Sequence, residues 1–142
     1  MSKTIIVDHK LVGDWVAKLV DGDPDWGPSN SIGLIEDGEI IAGVVFAGYV
    51  VNARCSMHCA GIGKRWLNRE FLVSCFDYAF NQLNCNVILN TVDSTNLDSI
   101  RFTTHIGFEP IVTVKGGCGA SDLIIFKMDR DKCKWINLKA HI

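Results

Sequence analysis

The sequence predicts an α/β domain of the α+β kind: a mixed, mostly antiparallel sheet flanked by helices. Three observations predict it. Two apolar runs meet at Asp37-Gly38, a dipeptide that tolerates the positive φ angles of a type I′ hairpin turn. A strongly amphipathic helix precedes the apolar run "NVILNTV", and a strand-helix-strand crossover of this kind is right-handed and sets its strands parallel. Finally, "IVTV" and "DLIIFKM" flank "KGGCGAS" as a closing hairpin.

In chain order, "TIIV" is a short strand, followed by a helix over "KLVGDWVAKLV" in which Leu11, Trp15, Lys18 and Leu19 fall at helical spacing. "DGDPDWGPSN" holds two of the three prolines, so regular structure stops there as a flexible loop. The Asp37-Gly38 hairpin comes next. Its second arm, residues 40–51, is the longest apolar run, too short for a membrane helix and read as a buried strand. "ARCSMHC" continues the meander, and "AGIGKRWLNREF" brings two glycines and a cluster of cations to a helix start. In that helix Phe71, Leu72, Cys75, Phe76, Ala79, Phe80 and Leu83 form an apolar stripe that needs a sheet to cover it. After the strand "NVILNTV", a helix from about Asn96 to Ile106 ends at Gly107 in the left-handed conformation, with Phe108 folding back.

The chain of 142 residues, 48% apolar, suits one domain spanning 1–142. A formal charge of −2 gives no reason to expect nucleic acid or an anionic membrane as partner, so any anion site must be local. "MSKTIIVDHK" lacks a secretory pattern, and the six cysteines are read as reduced thiols of a cytoplasmic protein. Known phosphate motifs fail over the glycine stretch. A Walker A loop ending at Gly63-Lys64 needs glycine at His58 and Ser or Thr at Arg65, and a dinucleotide fingerprint needs a small residue at Trp66. Cys55, His58 and Cys59, with Cys118 or Cys133, have the residue types of a zinc site. Strand alternation sends Cys55 and Cys59 one way and His58 the other, so no metal is expected.

The stretch Asn96-Leu97-Asp98-Ser99-Ile100-Arg101-Phe102-Thr103-Thr104-His105-Ile106-Gly107-Phe108, an Asn at a strand-to-helix joint and a Gly-Phe closing the helix, resembles the second motif of the GNAT family of acyl-CoA N-acyltransferases. The element order, from Thr4 to about Arg130, is similar to that fold throughout. The resemblance implies a parallel pair splayed at the sheet centre, acetyl-CoA as acyl donor, and a primary amine of a protein or small molecule as acceptor. It assigns Asn96 to the pantetheine, with Arg101 on the same helix. Asn96 also suits a helix cap, and both roles can hold at once.

The resemblance also places a pyrophosphate loop at Gly63, Lys64, Arg65, Trp66, Leu67, Asn68 and Arg69, where backbone N–H groups at a helix N-terminus favour an anion. Trp66 and Asn68 stand where the family has small residues. Lys64, Arg65 and Arg69 would compensate by pairing with phosphates directly. Backbone N–H groups from Met57 to Cys59 would polarise the acyl carbonyl, and Thr103 stands where a tyrosine often protonates the leaving thiolate.

An amine acceptor with a solution pKa of about 10.4 needs a base or a desolvated pocket. His58 on the fourth strand is a candidate base if its ring faces the cleft, the alternative being a satisfied strand histidine; Asp93 is a second, against a turn carboxylate. His105 is expected on the exposed face of its helix. Trp15, Tyr49 and especially Trp26 are candidates for the acceptor side, with core packing the ordinary use of the first two. Dimerisation is common in the family, and a homodimer is an open expectation. The other reading is a binding or inhibitory module on the same fold that has lost catalysis, motivated by Thr103 and the irregular loop.

Overall fold

The computed structural model describes residues 3–20, 26–63 and 68–136. Their elements are β1 (Lys3–Val7), α1 (His9–Leu19), β2 (Ser29–Glu36), β3 (Glu39–Val50), β4 (Arg54–Gly61), α2 (Arg69–Asp77), β5 (Val87–Asp93), α3 (Leu97–His105), β6 (Glu109–Val114) and β7 (Leu123–Asp129). The strands form one sheet in the order β1-β2-β3-β4-β5-β7-β6. All neighbours are antiparallel except β4 and β5. Among the described residues no helix is long and apolar enough to cross a membrane.

The β2–β3 turn takes φ of 54° at Asp37 and 80° at Gly38, the left-handed pair that a type I′ turn requires. The sheet then receives α1 on one face. Asp8 caps that helix by accepting a hydrogen bond from the Leu11 N–H at 3.0 Å. The helical spacing of Leu11, Trp15, Lys18 and Leu19 does not mark the buried face. Val12, Gly13 and Val16 are buried, while Leu11 and Leu19 are 50% and 52% exposed. The reason lies in the strands below. A Cβ on Gly33 would sit 2.7 Å from Val12 Cγ2, and one on Gly43 2.7 Å from Val16 Cγ2. Glycine at both positions brings the helix so close to the sheet that only short side chains fit between, and the leucines turn outward.

On the opposite face α2 buries its whole expected stripe, from Phe71 to Leu83. Burying each large apolar side chain contributes about 1.5–3 kcal/mol, more than the helix's intrinsic propensity supplies. Asn68 caps it, accepting from the Phe71 N–H at 3.2 Å. The helix continues into a π turn over Tyr78–Gln82, where the Leu83 N–H donates to the Tyr78 carbonyl at 2.9 Å, and Asn84 ends it at φ 54°. α3 closes as expected: Gly107 has φ 113°, and the Phe108 N–H returns to the Thr103 carbonyl at 3.1 Å. Phe108 thereby packs beside Phe76, ring centroids 6.3 Å apart.

Two cores result. Phe46, Phe71, Phe76, Phe80 and Phe126 anchor the larger, between the sheet and α2; Val12, Val16, Val45 and Ala47 form a smaller one under α1. All six cysteines are unpaired.

Candidate active site

The site begins with a broken ladder. β5 keeps seven consecutive pairings with β7, but only Arg54–Val87 and Cys55–Ile88 join it to β4. Beyond Cys55 the two strands part.

The hydrogen-bonding phase of β4 decides what that opening exposes. The Ile62 N–H donates to the Ile41 carbonyl at 2.9 Å, so by antiparallel alternation the even residues of β4 bond to β3 and the odd ones turn their N–H toward β5. Met57 fits that phase: its N–H crosses the opening to Asn90 Oδ1 at 2.8 Å. Cys59, two residues on, directs its N–H into the opening. The resulting cleft of about 680 Å³ brings together Met57, His58, Cys59, Asn96 and Thr103, with Leu19 and Val20 of the α1 end on its wall.

His58 is held on the α1 face, its ring 4.9 Å from that of Trp26, whose Nε1 donates to the Gly13 carbonyl at 3.1 Å. The Ser56 hydroxyl donates its one hydrogen to the Ala47 carbonyl (3.1 Å) and lies 3.2 Å from His58 Nε2. With that hydrogen committed, the hydroxyl oxygen can only accept, which puts the imidazole proton on Nε2 and the lone pair on Nδ1. Burial lowers the His58 pKa and keeps the ring neutral near pH 7. A neutral imidazole with Nδ1 unprotonated is the form that takes a proton.

Thr103 is 6% exposed on the cleft-facing side of α3. Asn96 caps that helix, accepting from the Ser99 N–H at 3.1 Å, and its Nδ2 has no partner among the described residues. Burial pushes the Cys59 thiol up to about 12, so it stays protonated. The Asp93 carboxylate also borders the cleft but closes a turn, accepting from the Thr95 N–H (2.9 Å), the Thr95 hydroxyl (2.8 Å) and the Ser121 hydroxyl (2.8 Å). These bonds, the Thr95 N–H foremost, hold its pKa below the usual carboxylate range.

Gly63 has φ 63°, while Lys64, Arg65, Trp66 and Leu67 fall outside the described residues. Asn68 is occupied as the α2 cap, and Arg69 stacks its guanidinium 5.7 Å over the Trp135 ring. Arg101 is largely exposed and pairs at 3.8 Å with Asp98, which borders the cleft, while Arg101 itself does not line it. His105 is exposed. Trp15 packs against the smaller core and Tyr49 against the larger. Cys55 and Cys59 point to the α2 face and His58 to the α1 face, which separates the zinc-type residues as alternation requires.

Sequence reasoning did not find Asn90. Its signal was there: a carboxamide inside the run "VILNTV", apolar but for Asn90 and Thr91, where a buried polar group is costly unless it is bonded.

No protein-family model matches the sequence, and no curated protein sequence does. Solved structures do match. The spermidine N-acetyltransferase SpeG chimera from Vibrio cholerae and hSSAT superposes with a TM-score of 0.74 at 12% identity, over 96% of this chain and 100% of that one. The Campylobacter jejuni N-acetyltransferase PseH, in complex with acetyl coenzyme A, gives 0.57 at 15% identity, over 72% and 68%. A ribosomal-protein-S5-alanine acetyltransferase from Vibrio fischeri gives 0.62 at 16% identity, over 77% and 64%. The architecture is therefore the GNAT fold, with its splayed central pair.

Proposed function

We propose that residues 1–142 form one N-acyltransferase domain, which moves an acetyl group from acetyl-CoA to a primary amine by direct attack. The observation that carries this reading is the break in the β4–β5 ladder, which turns strand N–H groups into a cleft also bordered by a neutral histidine. The donor set suits an acyl thioester with an amide-bearing arm: a β4 N–H at Cys59, the unpartnered Asn96 Nδ2, and mostly uncharged walls. Acetyl-CoA would supply the activated acyl group as a thioester.

In this reading the Cys59 N–H, rather than that of Met57, polarises the carbonyl, since Asn90 already holds the Met57 N–H. Asn96 Nδ2 holds the pantetheine while Oδ1 caps α3. His58 Nδ1 takes the proton as the amine nitrogen bonds to the acyl carbon and the C–S bond breaks. Thr103 shapes the wall beside the leaving sulfur. Its hydroxyl is too weak an acid to replace a tyrosine, so the thiolate departs as such or takes its proton from water. Gly63, Lys64, Arg65, Trp66 and Leu67, with the backbone N–H groups rather than the side chains of Asn68 and Arg69, make up the pyrophosphate segment, since a helix N-terminus favours an anion.

Two measurements test the proposal: calorimetric titration with acetyl-CoA, and a mass-detected acetylation screen over small and peptide amines. Binding together with an acetylated amine is the expected result. No heat of binding at millimolar acetyl-CoA would overturn the enzyme reading and leave a binding module on the same fold.

A further inference from the structure

The carboxamide of Asn90 spans the opening between β4 and β5 at the point where their backbone pairing has just ended. The last paired residue of β5 is Ile88, two before Asn90 and on the same face. The atom facing the Met57 N–H must be oxygen, because the strand N–H can only donate; the amide orientation is therefore fixed by chemistry and puts Nδ2 on the other branch of the group. That nitrogen has no hydrogen-bond partner among the described residues, although Asn90 is half-buried and borders the cleft. A side chain needed only to mend the ladder would need only the acceptor. Here the donor end is left over on a residue that lines the cleft and is bonded to Met57, two strand residues from Cys59.

We propose that Asn90 is a catalytic residue of the acyl-transfer site. Its Oδ1 bridge to Met57 aims the carboxamide, and its Nδ2 donates a hydrogen bond to the acyl carbonyl oxygen alongside the Cys59 N–H. The two donors together stabilise the negative charge that develops on that oxygen as the amine attacks. This rests on the acyltransferase reading above, and its test separates the two.

The informative variant is Asn90→Asp. A carboxylate of the same size keeps an acceptor for the Met57 N–H but has no donor, whereas Asn90→Ala loses both. Turnover of Asn90→Asp should fall by about 10²- to 10³-fold, the usual loss for one oxyanion donor. Hydrogen-exchange protection of the Met57 amide should persist in Asn90→Asp and disappear in Asn90→Ala. In the wild-type protein, the Asn90 side-chain NH₂ signals in a ¹H–¹⁵N spectrum should move on adding acetyl-CoA and stay in place with CoA, which lacks the acyl carbonyl. If the wild type binds both nucleotides but those signals do not distinguish them, or if Asn90→Asp turns over within about threefold of wild type, the proposal falls and the acyltransferase reading stands. A wild type that binds neither nucleotide overturns that reading, and this proposal with it.

Discussion

Replacing Gly43 by alanine tests why α1 sits where it does. The new Cβ would lie 2.7 Å from Val16 Cγ2 and 2.8 Å from Val12 Cγ1, against an optimal carbon–carbon separation of about 3.5–4.0 Å, so the helix must lift by roughly 1 Å. Neither valine can swing aside, because a β-branched residue in a helix has one strongly preferred rotamer. Overpacking of this kind costs about 1–3 kcal/mol, and two simultaneous contacts put the expectation in the upper half of that range. Urea unfolding of the single variant measures it. Val16→Ala removes one of the clashing methyls, so it should cost at least about 1 kcal/mol less in the Gly43→Ala background than in wild type, within the coupling usual for residues in contact. Lifting α1 also moves the Gly13 carbonyl that holds Trp26 against His58, so turnover should fall more than acetyl-CoA affinity. A loss below about 0.5 kcal/mol with no coupling to Val16 would refute the claim that the glycines set the helix height.

His58→Ala should lower turnover by about 10²- to 10⁴-fold, the range for a positioned base, with acetyl-CoA affinity retained by calorimetry. In the wild type the acid limb of the rate profile should fall below pH 6.5, since burial moves the His58 pKa down from that value. The same shift has a sign in stability: below pH 6.5 the unfolded chain takes up the proton before the folded one does, so unfolding free energy declines as pH falls through that window and shows no His58 dependence above it. Asn96→Asp keeps a good helix cap and should leave the melting temperature nearly unchanged while weakening acetyl-CoA binding, whereas Asn96→Ala should also cost about 1 kcal/mol of stability. Phe76→Ala opens a cavity at a wholly buried site between Phe80, Phe108 and Trp135, with an expected loss of about 3–5 kcal/mol in urea unfolding.

What could be read in the sequence followed how local the physics was. The type I′ turn at Asp37-Gly38, the α2 stripe and the Gly107-Phe108 closure depend on residues within a few positions of one another, and each stands as expected. The α1 face does not, because Val12 and Val16 are buried by what lies on β2 and β3, Gly33 and Gly43, which helical periodicity does not report. The same limit applies to the site. Asn96 and Thr103 share the recognisable second-motif stretch and both reach the cleft, whereas Arg101, in the same stretch, is largely exposed and meets the cleft only through its pair with Asp98 at the border. Which face His58 occupies depended on the β3–β4 register. The role of Asn90 became visible only when the end of the β4–β5 ladder was known, since a polar residue in a largely apolar strand gives no hint of which backbone group it serves.

The break in that ladder follows from how each strand is held on its other side. β4 is tied to β3 over most of its length, and β3 itself loses register between Ala47 and Val50, close to where β4 begins. β5 is committed to β7 from Val87 to Asp93 without interruption. Strands twist with the partners they are bonded to, and β4 and β5, each held by a different neighbour, share only the two parallel pairings at the Arg54–Cys55 end before they diverge. The donors left over by that divergence are backbone groups, which no substitution other than proline removes, so side chains adjust the cleft mainly by deciding which donors are occupied. Asn90 occupies the first, at Met57, and that shifts the available one to Cys59. A variant that lengthened the β4–β5 pairing would therefore be expected to close the site without touching His58, Asn96 or Thr103.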